Sequence, residues 1–133
     1  RIKDVDFDRQ QITIRDGKGE KDRMVPLPKS LQDGLARILD ERDIAHSFTG
    51  APALMGLFFA ESAPSNYREW IDSNYEFYDT LAPELHNQGI LVEPDSREPW
   101  FLCEAHTDNC LDDTLARFER AVDITIRKMS DAA

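Results

Sequence analysis

The sequence predicts an α+β fold: a short antiparallel sheet with three helices across residues 29–133, preceded by a three-stranded β meander in residues 1–28. Three observations carry this expectation. Apolar and polar residues alternate in two short stretches of the front segment, the period of two that belongs to strands. From Ser30 the spacing changes to three and four, which gathers apolar side chains on one face of a helix. Between the helical stretches, residues 54–59 form a continuous apolar run of the length of an interior strand.

In the front segment Ile2, Val5 and Phe7 mark one strand and Ile12 and Ile14 a second, separated by Asp8, Arg9 and Gln10. Asp16, Gly17, Lys18 and Gly19 make the next turn, where the glycines accept positive φ, and Arg23 opens a third strand closed by Pro26 and Pro28. Ser30 is the expected N-cap of the first helix, whose Leu31, Leu35, Ile38 and Leu39 share a face. Thr49, Gly50, Ala51 and Pro52 read as a break before the interior strand, which is expected to be buried on both faces. Ser65 or Asn66 then caps one longer helix in which Tyr67, Trp70, Ile71, Tyr75, Tyr78, Leu81 and Leu85 recur, with Gly89 in the place of a C-terminal glycine. Residues 90–92 and 100–103 read as short strands joined by a polar turn at residues 93–99. The last helix has the clearest period: Leu111, Leu115, Phe118, Val122, Ile126 and Met129 are spaced 4, 3, 4, 4 and 3. Thr107 or Asp108 caps it, and Asp108, Asp112 and Asp113 near its start and Arg127 and Lys128 near its end suit the helix dipole. The expected order after the meander is therefore helix, strand, helix, strand, strand, helix.

At 133 residues the chain fits one ordinary domain, and its 41% hydrophobic and 32% charged residues are those of a soluble globular protein. No apolar run approaches the roughly 18 residues of a membrane helix, so no membrane partner is expected. The net charge of -10 is unevenly spread. Residues 1–29 hold eight Lys/Arg and six Asp/Glu, whereas residues 30–133 hold eight and twenty. A domain that acidic repels phosphate backbones, so DNA binding by the whole chain is not expected. Two cysteines, Cys103 and Cys110, are too few for a disulfide framework and fit a reducing cytoplasm. Arg1 rather than Met at the first position points to a processed, trimmed or partial chain.

Two clusters invite chemical readings. Cys103, His106 and Cys110 have ligand-like spacing, but zinc needs convergent geometry from three or four groups. The favoured reading is a buried Cys103 acting as a small hydrophobe, with His106 at the strand end and no metal. A Cys/His nucleophile pair lacks an evident orienting group. The aromatics Tyr67, Trp70, Tyr75, Phe77 and Tyr78 are a stacking surface for bases or sugars in one reading; their helical spacing favours core packing, with Phe77 off the main face.

The run from Ile12 to Pro28, with Gly17, Lys18, Gly19, Lys21, Asp22 and Arg23, resembles the strand meander of tyrosine recombinases of the integron integrase type. That resemblance implies that Lys18 reaches a scissile phosphate. The two arginines and nucleophilic tyrosine that such chemistry also requires have no counterpart in a matching context, and Lys18, Lys21 and Arg23 equally suit a solvated hairpin tip. Residues 29–133 resemble the C-terminal small domain of class III pyridoxal-phosphate aminotransferases, in the glutamate-1-semialdehyde aminomutase group. The likeness runs in order through Leu31 to Leu39, Thr49 to Phe59, Asn66 to Arg68, Gly89 to Pro94 and Glu104 to Asp108. It implies a small sheet with helices on one side, and pyridoxal phosphate as the cofactor of the resembled enzymes. Their cofactor lysine, pyridine-nitrogen acid and phosphate cradle belong to a large domain; Lys3, Lys21 and Lys29 match none of these, so no cofactor is expected on this chain. The same resemblance makes Arg97 the nearest candidate for a substrate carboxylate, beside a plainer role as a turn arginine paired with Glu98 or Glu93. The expected function is thus a non-catalytic fragment or fusion resembling such a small domain, with a DNA-recombination remnant as the alternative. Apolar surface left uncovered is expected to drive homo-oligomerisation or binding of a partner protein.

Overall fold

The computed structural model describes residues 5–6, 11–14, 23–26, 29–103 and 105–132. In the front segment β1 (Val5–Asp6), β2 (Gln11–Ile14) and β3 (Arg23–Pro26) pair antiparallel in that order, with Val5 opposite Ile12 and Ile12 opposite Val25. Lys3, Lys18 and Lys21 lie outside the described residues.

The remainder is an α+β layer with one three-stranded antiparallel sheet and four helices. α1 (Lys29–Asp40) buries Leu31, Leu35, Ile38 and Leu39, the face its sequence period marks. Ser30, the expected N-cap, is already its second residue. The helix unwinds through Asp43, at φ 54, with Asp43 N–H donating to Asp40 O (3.0 Å) and Ile44 N–H to Leu39 O (3.1 Å). This pairing satisfies carbonyls that the helix end leaves without donors, and Asp tolerates the left-handed region better than most side chains.

β4 (Ser47–Ala51) and β5 (Leu54–Phe58) form a tight hairpin in which Ala51 faces Leu54 and Ser47 faces Phe58. The expected break at residues 49–52 is therefore the end of a strand. Its small residues suit the hairpin: Gly50 takes φ 77, and a Cβ there would lie 2.3 Å from the Leu54 carbonyl oxygen. β5 occupies the centre of the sheet, between β4 and β6 (Trp100–Phe101). Met55 and Leu57 are buried, whereas Leu54, across from Phe101, is 47% exposed, so the strand is not covered on both faces along its whole length.

The single long helix expected after Asn66 is two. α2 (Tyr67–Ile71) starts on Asn66, whose Oδ1 accepts the N–H groups of Arg68 and Glu69 (3.0 and 3.1 Å). Asn74 N–H then donates to Phe59 O (3.0 Å), tying the chain to the end of β5, and Asn74 Oδ1 accepts from Phe77 N–H (3.3 Å) to start α3 (Tyr75–Asn87). Ending one helix and capping another resets the helical phase, so Phe77, off-face in a continuous helix, turns inward and packs on Phe59 with ring centroids 4.5 Å apart. α3 ends as expected on Gly89, at φ 81: Gly89 N–H donates to His86 O and Ile90 N–H to Leu85 O, both at 2.9 Å. Residues 90–92 form no strand, and the sheet receives only Trp100 and Phe101 from the segment expected to give two strands.

α4 (Asp108–Ala132) closes the fold by packing on α3 and α1. Leu111, Phe118, Ala121, Val122 and Thr125 are buried along it. The buried Thr125 hydroxyl donates to Ala121 O (2.9 Å), so its polar group is satisfied within the helix. Polar clamps frame this seam. Arg42 donates through Nε to Asp123 (2.7 Å), through Nη2 to Glu119 (3.0 Å) and through Nη1 to Ile38 O (2.9 Å). Lys128 Nζ meets the buried carboxylate of Glu84 at 2.6 Å, joining α3 to α4. Among the described residues no helix is long and apolar enough to cross a membrane.

The hydrogen bond from Arg42 holds Asp123 below the ordinary 3.8 of an aspartate, and that from Lys128 holds Glu84 below 4.5. Carboxylates depressed in the folded state contribute stability that is full above their unfolded values and is lost as pH falls through the folded ones. Urea unfolding should therefore show a midpoint that declines below about pH 4.5. Arg42→Ala should cost about 1–2 kcal/mol at neutral pH, after allowance for the partial exposure of both acids, and should make the acid decline shallower; an unchanged decline would show that the clamp does not govern it.

Candidate functional site

Residues 93–99 leave α3 and return to the sheet as a turn held from below. Tyr78, buried in α3, donates its hydroxyl hydrogen to Glu93 O (3.0 Å) and accepts from Trp100 Nε1–H (3.1 Å). Burial pushes its phenol up to about 12, so at neutral pH it is a donor as well as an acceptor. One side chain thus fixes the start of the turn and the strand that ends it.

On the outer side of this turn stands Arg97. Asp95 Oδ1 accepts the Arg97 backbone N–H (2.9 Å), and both Asp95 oxygens face the guanidinium, at 2.9 Å from Nε and 2.5 Å from Nη2. The partner is therefore Asp95 and neither Glu98 nor Glu93, because residues two apart in a tight turn share one side. The ion pair holds Asp95 below its ordinary value and Arg97 above its own. The guanidinium lies 4.7 Å from the Trp70 ring centroid and 5.8 Å from that of Tyr67. Trp70 is itself fixed, its Nε1–H donating to the buried Ser96 hydroxyl at 2.8 Å and its ring lying 4.8 Å from Tyr75. Asp95 occupies the Nε–Nη2 edge of Arg97; Nη1 has no hydrogen-bond partner among the described residues. Asp95 and the aromatic faces orient the cation, whose side chain is 50% exposed.

The aromatic set is thus divided. Tyr78 belongs to the core as its spacing predicts, and so does Phe77, whereas the core packing expected of Tyr67, Trp70 and Tyr75 is corrected: Tyr67 is 58% exposed and Trp70 and Tyr75 are half-buried. No sequence period signals that platform, because Trp70 and Arg97 meet only after α3 has carried the chain across the domain.

A cleft of about 680 Å³ runs along the 90–102 segment, with Leu91, Trp100, Phe101, His106, Cys110 and Arg117 in its walls. Leu91 is 92% and Phe101 67% exposed. Arg117 is engaged by Asp113 (2.7 Å) and Gln88 O (2.7 Å). Both cysteines are exposed, which corrects the expectation of a buried Cys103: β6 ends at Phe101, and the chain turns outward before α4. Cys103 Sγ lies 3.3 Å from His106 Nδ1. Among the described residues no group of three His, Cys, Asp or Glu side chains gathers to hold a metal.

A pyridoxal-type cofactor needs a lysine whose amine is held in a cavity and free to form an imine. Lys29 and Lys128, the lysines with described side chains, are exposed, neither lines the cleft, and Lys128 is occupied by Glu84. The described residues do not fit that group.

Comparison with known proteins places this geometry first at the level of fold. The chain is similar to the solved structure of the PLP internal aldimine form of the FumI protein of Sphingopyxis sp. MTA144, with a TM-score of 0.63 and 22% identity, over 77% of this chain and 22% of that one. In sequence it is 33% identical over 90 residues to glutamate-1-semialdehyde 2,1-aminomutase 2 of Geobacillus kaustophilus (strain HTA426), covering 68% of this chain and 21% of the relative. It is 29% identical over 109 residues to glutamate-1-semialdehyde 2,1-aminomutase of Aquifex aeolicus (strain VF5), covering 82% and 26%. No family model matches. The chain spans about a fifth to a quarter of the length of these curated relatives. The resemblance to glutamate-1-semialdehyde aminomutases thus stands on sequence, and the likeness to the FumI structure is one of fold; these similarities do not bear on the recombinase likeness of residues 1–28.

Tyr78→Phe should leave the Glu93 carbonyl and the Trp100 indole N–H without their shared partner. A loss of about 1–2 kcal/mol in urea unfolding is expected, together with faster amide exchange at Trp100; stability equal to the parent chain would show that the hydroxyl does not hold the turn.

Proposed function

We propose that residues 29–133 are a small domain of the class III pyridoxal-phosphate enzyme type, and that this chain by itself catalyses neither transamination nor aminomutation. The observation that carries this reading is the 33% identity to an aminomutase over a stretch amounting to only 21% of that relative. Support comes from the two described lysines, one exposed at a helix start and the other tied to Glu84, neither suited to an imine. Within this reading Arg97 is the group for a substrate carboxylate, since its outer edge is open while Asp95 and Trp70 hold its inner edge and face. The exposed Leu54, Leu91 and Phe101 are then surface covered by protein, through self-association or a partner chain, since exposed apolar area is removed from water on contact.

Incubation with pyridoxal phosphate, borohydride reduction and mass spectrometry tests the first part. Only slow, scattered labelling of lysines is expected. Stoichiometric labelling of one lysine, abolished by changing that lysine alone, would overturn the reading. The Arg97 assignment is tested by adding glutarate and following the tryptophan fluorescence contributed by Trp70. A saturable change that is absent in Arg97→Ala is expected, and an unresponsive signal in the parent chain rejects the assignment.

A further inference from the structure

The turn between β6 and α4 is closed by His106 N–H donating to Cys103 O at 3.0 Å, and this brings the imidazole back over Cys103. Nδ1 accepts the Cys103 backbone N–H at 3.0 Å and lies 3.3 Å from Sγ. A ring nitrogen that accepts an N–H carries a lone pair, so the neutral ring keeps its proton on Nε2. That lone pair is within reach of the thiol hydrogen. After Nδ1 takes a proton, the Cys103 carbonyl oxygen at 3.2 Å is an acceptor already in place for it. Cys110 is exposed as well, yet its sulfur has no imidazole or other hydrogen-bond partner among the described residues. The chain therefore carries two accessible thiols, one with a base beside it and one without.

We propose that Cys103 and His106 form a thiol–imidazole pair that reacts with small-molecule disulfides, making Cys103 the site of mixed-disulfide modification in this chain. Thiolate is the attacking form in such exchange, and a base within hydrogen-bond reach supplies it without prior ionisation in solvent. The Sγ proton passes to Nδ1, and the sulfur electron pair forms a bond to one sulfur of the disulfide. The old S–S bond breaks with its electrons on the other sulfur, which takes the proton from Nδ1 and leaves as a free thiol. Cys103 is oxidised and one half of the disulfide is reduced, so the disulfide is the only oxidant needed. This inference is independent of the proposed function.

Two single-thiol forms of the full chain, Cys110→Ser and Cys103→Ser, allow a direct test with the aromatic disulfide dithiobis(nitrobenzoate) and with oxidised glutathione, the adduct being located by mass spectrometry. Cys103 should react about tenfold faster than Cys110 at neutral pH. His106→Gln in the Cys110→Ser background should remove that advantage. In urea the unfolded parent chain should modify both cysteines at nearly equal rates, a result that does not depend on the folding of any variant. Equal rates in the folded chain, an unaltered rate in His106→Gln, or an advantage that survives unfolding would each overturn the proposal.

Discussion

The geometry of the candidate site depends on one buried phenol. Tyr78 contributes its ring to the core and its hydroxyl to two segments far apart in sequence, accepting from Trp100 on the edge strand and donating to Glu93 at the start of the turn. An apolar side chain of the same size would fill the core equally well but leave both polar groups without partners, and buried polar groups without partners are costly. Because the ends of residues 93–100 are held, Asp95 and Arg97 project from a fixed turn, and Ser96 is turned inward to receive Trp70. The backbone that carries the arginine is thus positioned by contacts the arginine does not itself make.

The core supplies the rest of that rigidity. α4 lies along α3 and α1 and buries Phe118, Ala121 and Val122, while Trp100 meets Phe118 with ring centroids 6.1 Å apart. The apolar seam provides most of the driving force, and the Arg42 and Lys128 clamps at its borders fix how the helices are set against each other. Both clamps pair a cation with carboxylates in a chain of net charge -10, so they also neutralise acids that would otherwise repel one another across the seam. The surfaces not used in this way are informative. Arg97 keeps an edge open, Leu91 and Phe101 remain in solvent, and Cys103 stands beside a base.

Much of the scaffold was legible because its signals are local. Leu31, Leu35, Ile38 and Leu39, and Leu111, Phe118 and Val122, lie on buried faces at their expected spacing, and Gly89 ends its helix for the backbone reason its sequence suggests. The likeness to aminomutases was legible in ordered segments rather than in any chemical motif. What escaped notice lacked a local signal. β4 carries Phe48 as its single large apolar side chain among Ser47, Thr49, Gly50 and Ala51, so it has no run or alternation to announce a strand, and it exists through its ladder with β5. The division of α2 from α3 hangs on Asn74 bonding back to Phe59, a contact between two elements.

The sequence by itself determined the α+β class, the inward faces of α1 and α4, the central strand and the Gly89 helix end, since periodicity and capping act within a few residues of the chain. Tertiary structure alone decided that Arg97 pairs with Asp95 over Trp70, that Phe77 turns inward and that Cys103 emerges beside His106. Those outcomes depend on where each helix ends and which segment lies across from it. Contacts of that kind are set by the packing of the whole domain, so no short window of sequence contains them.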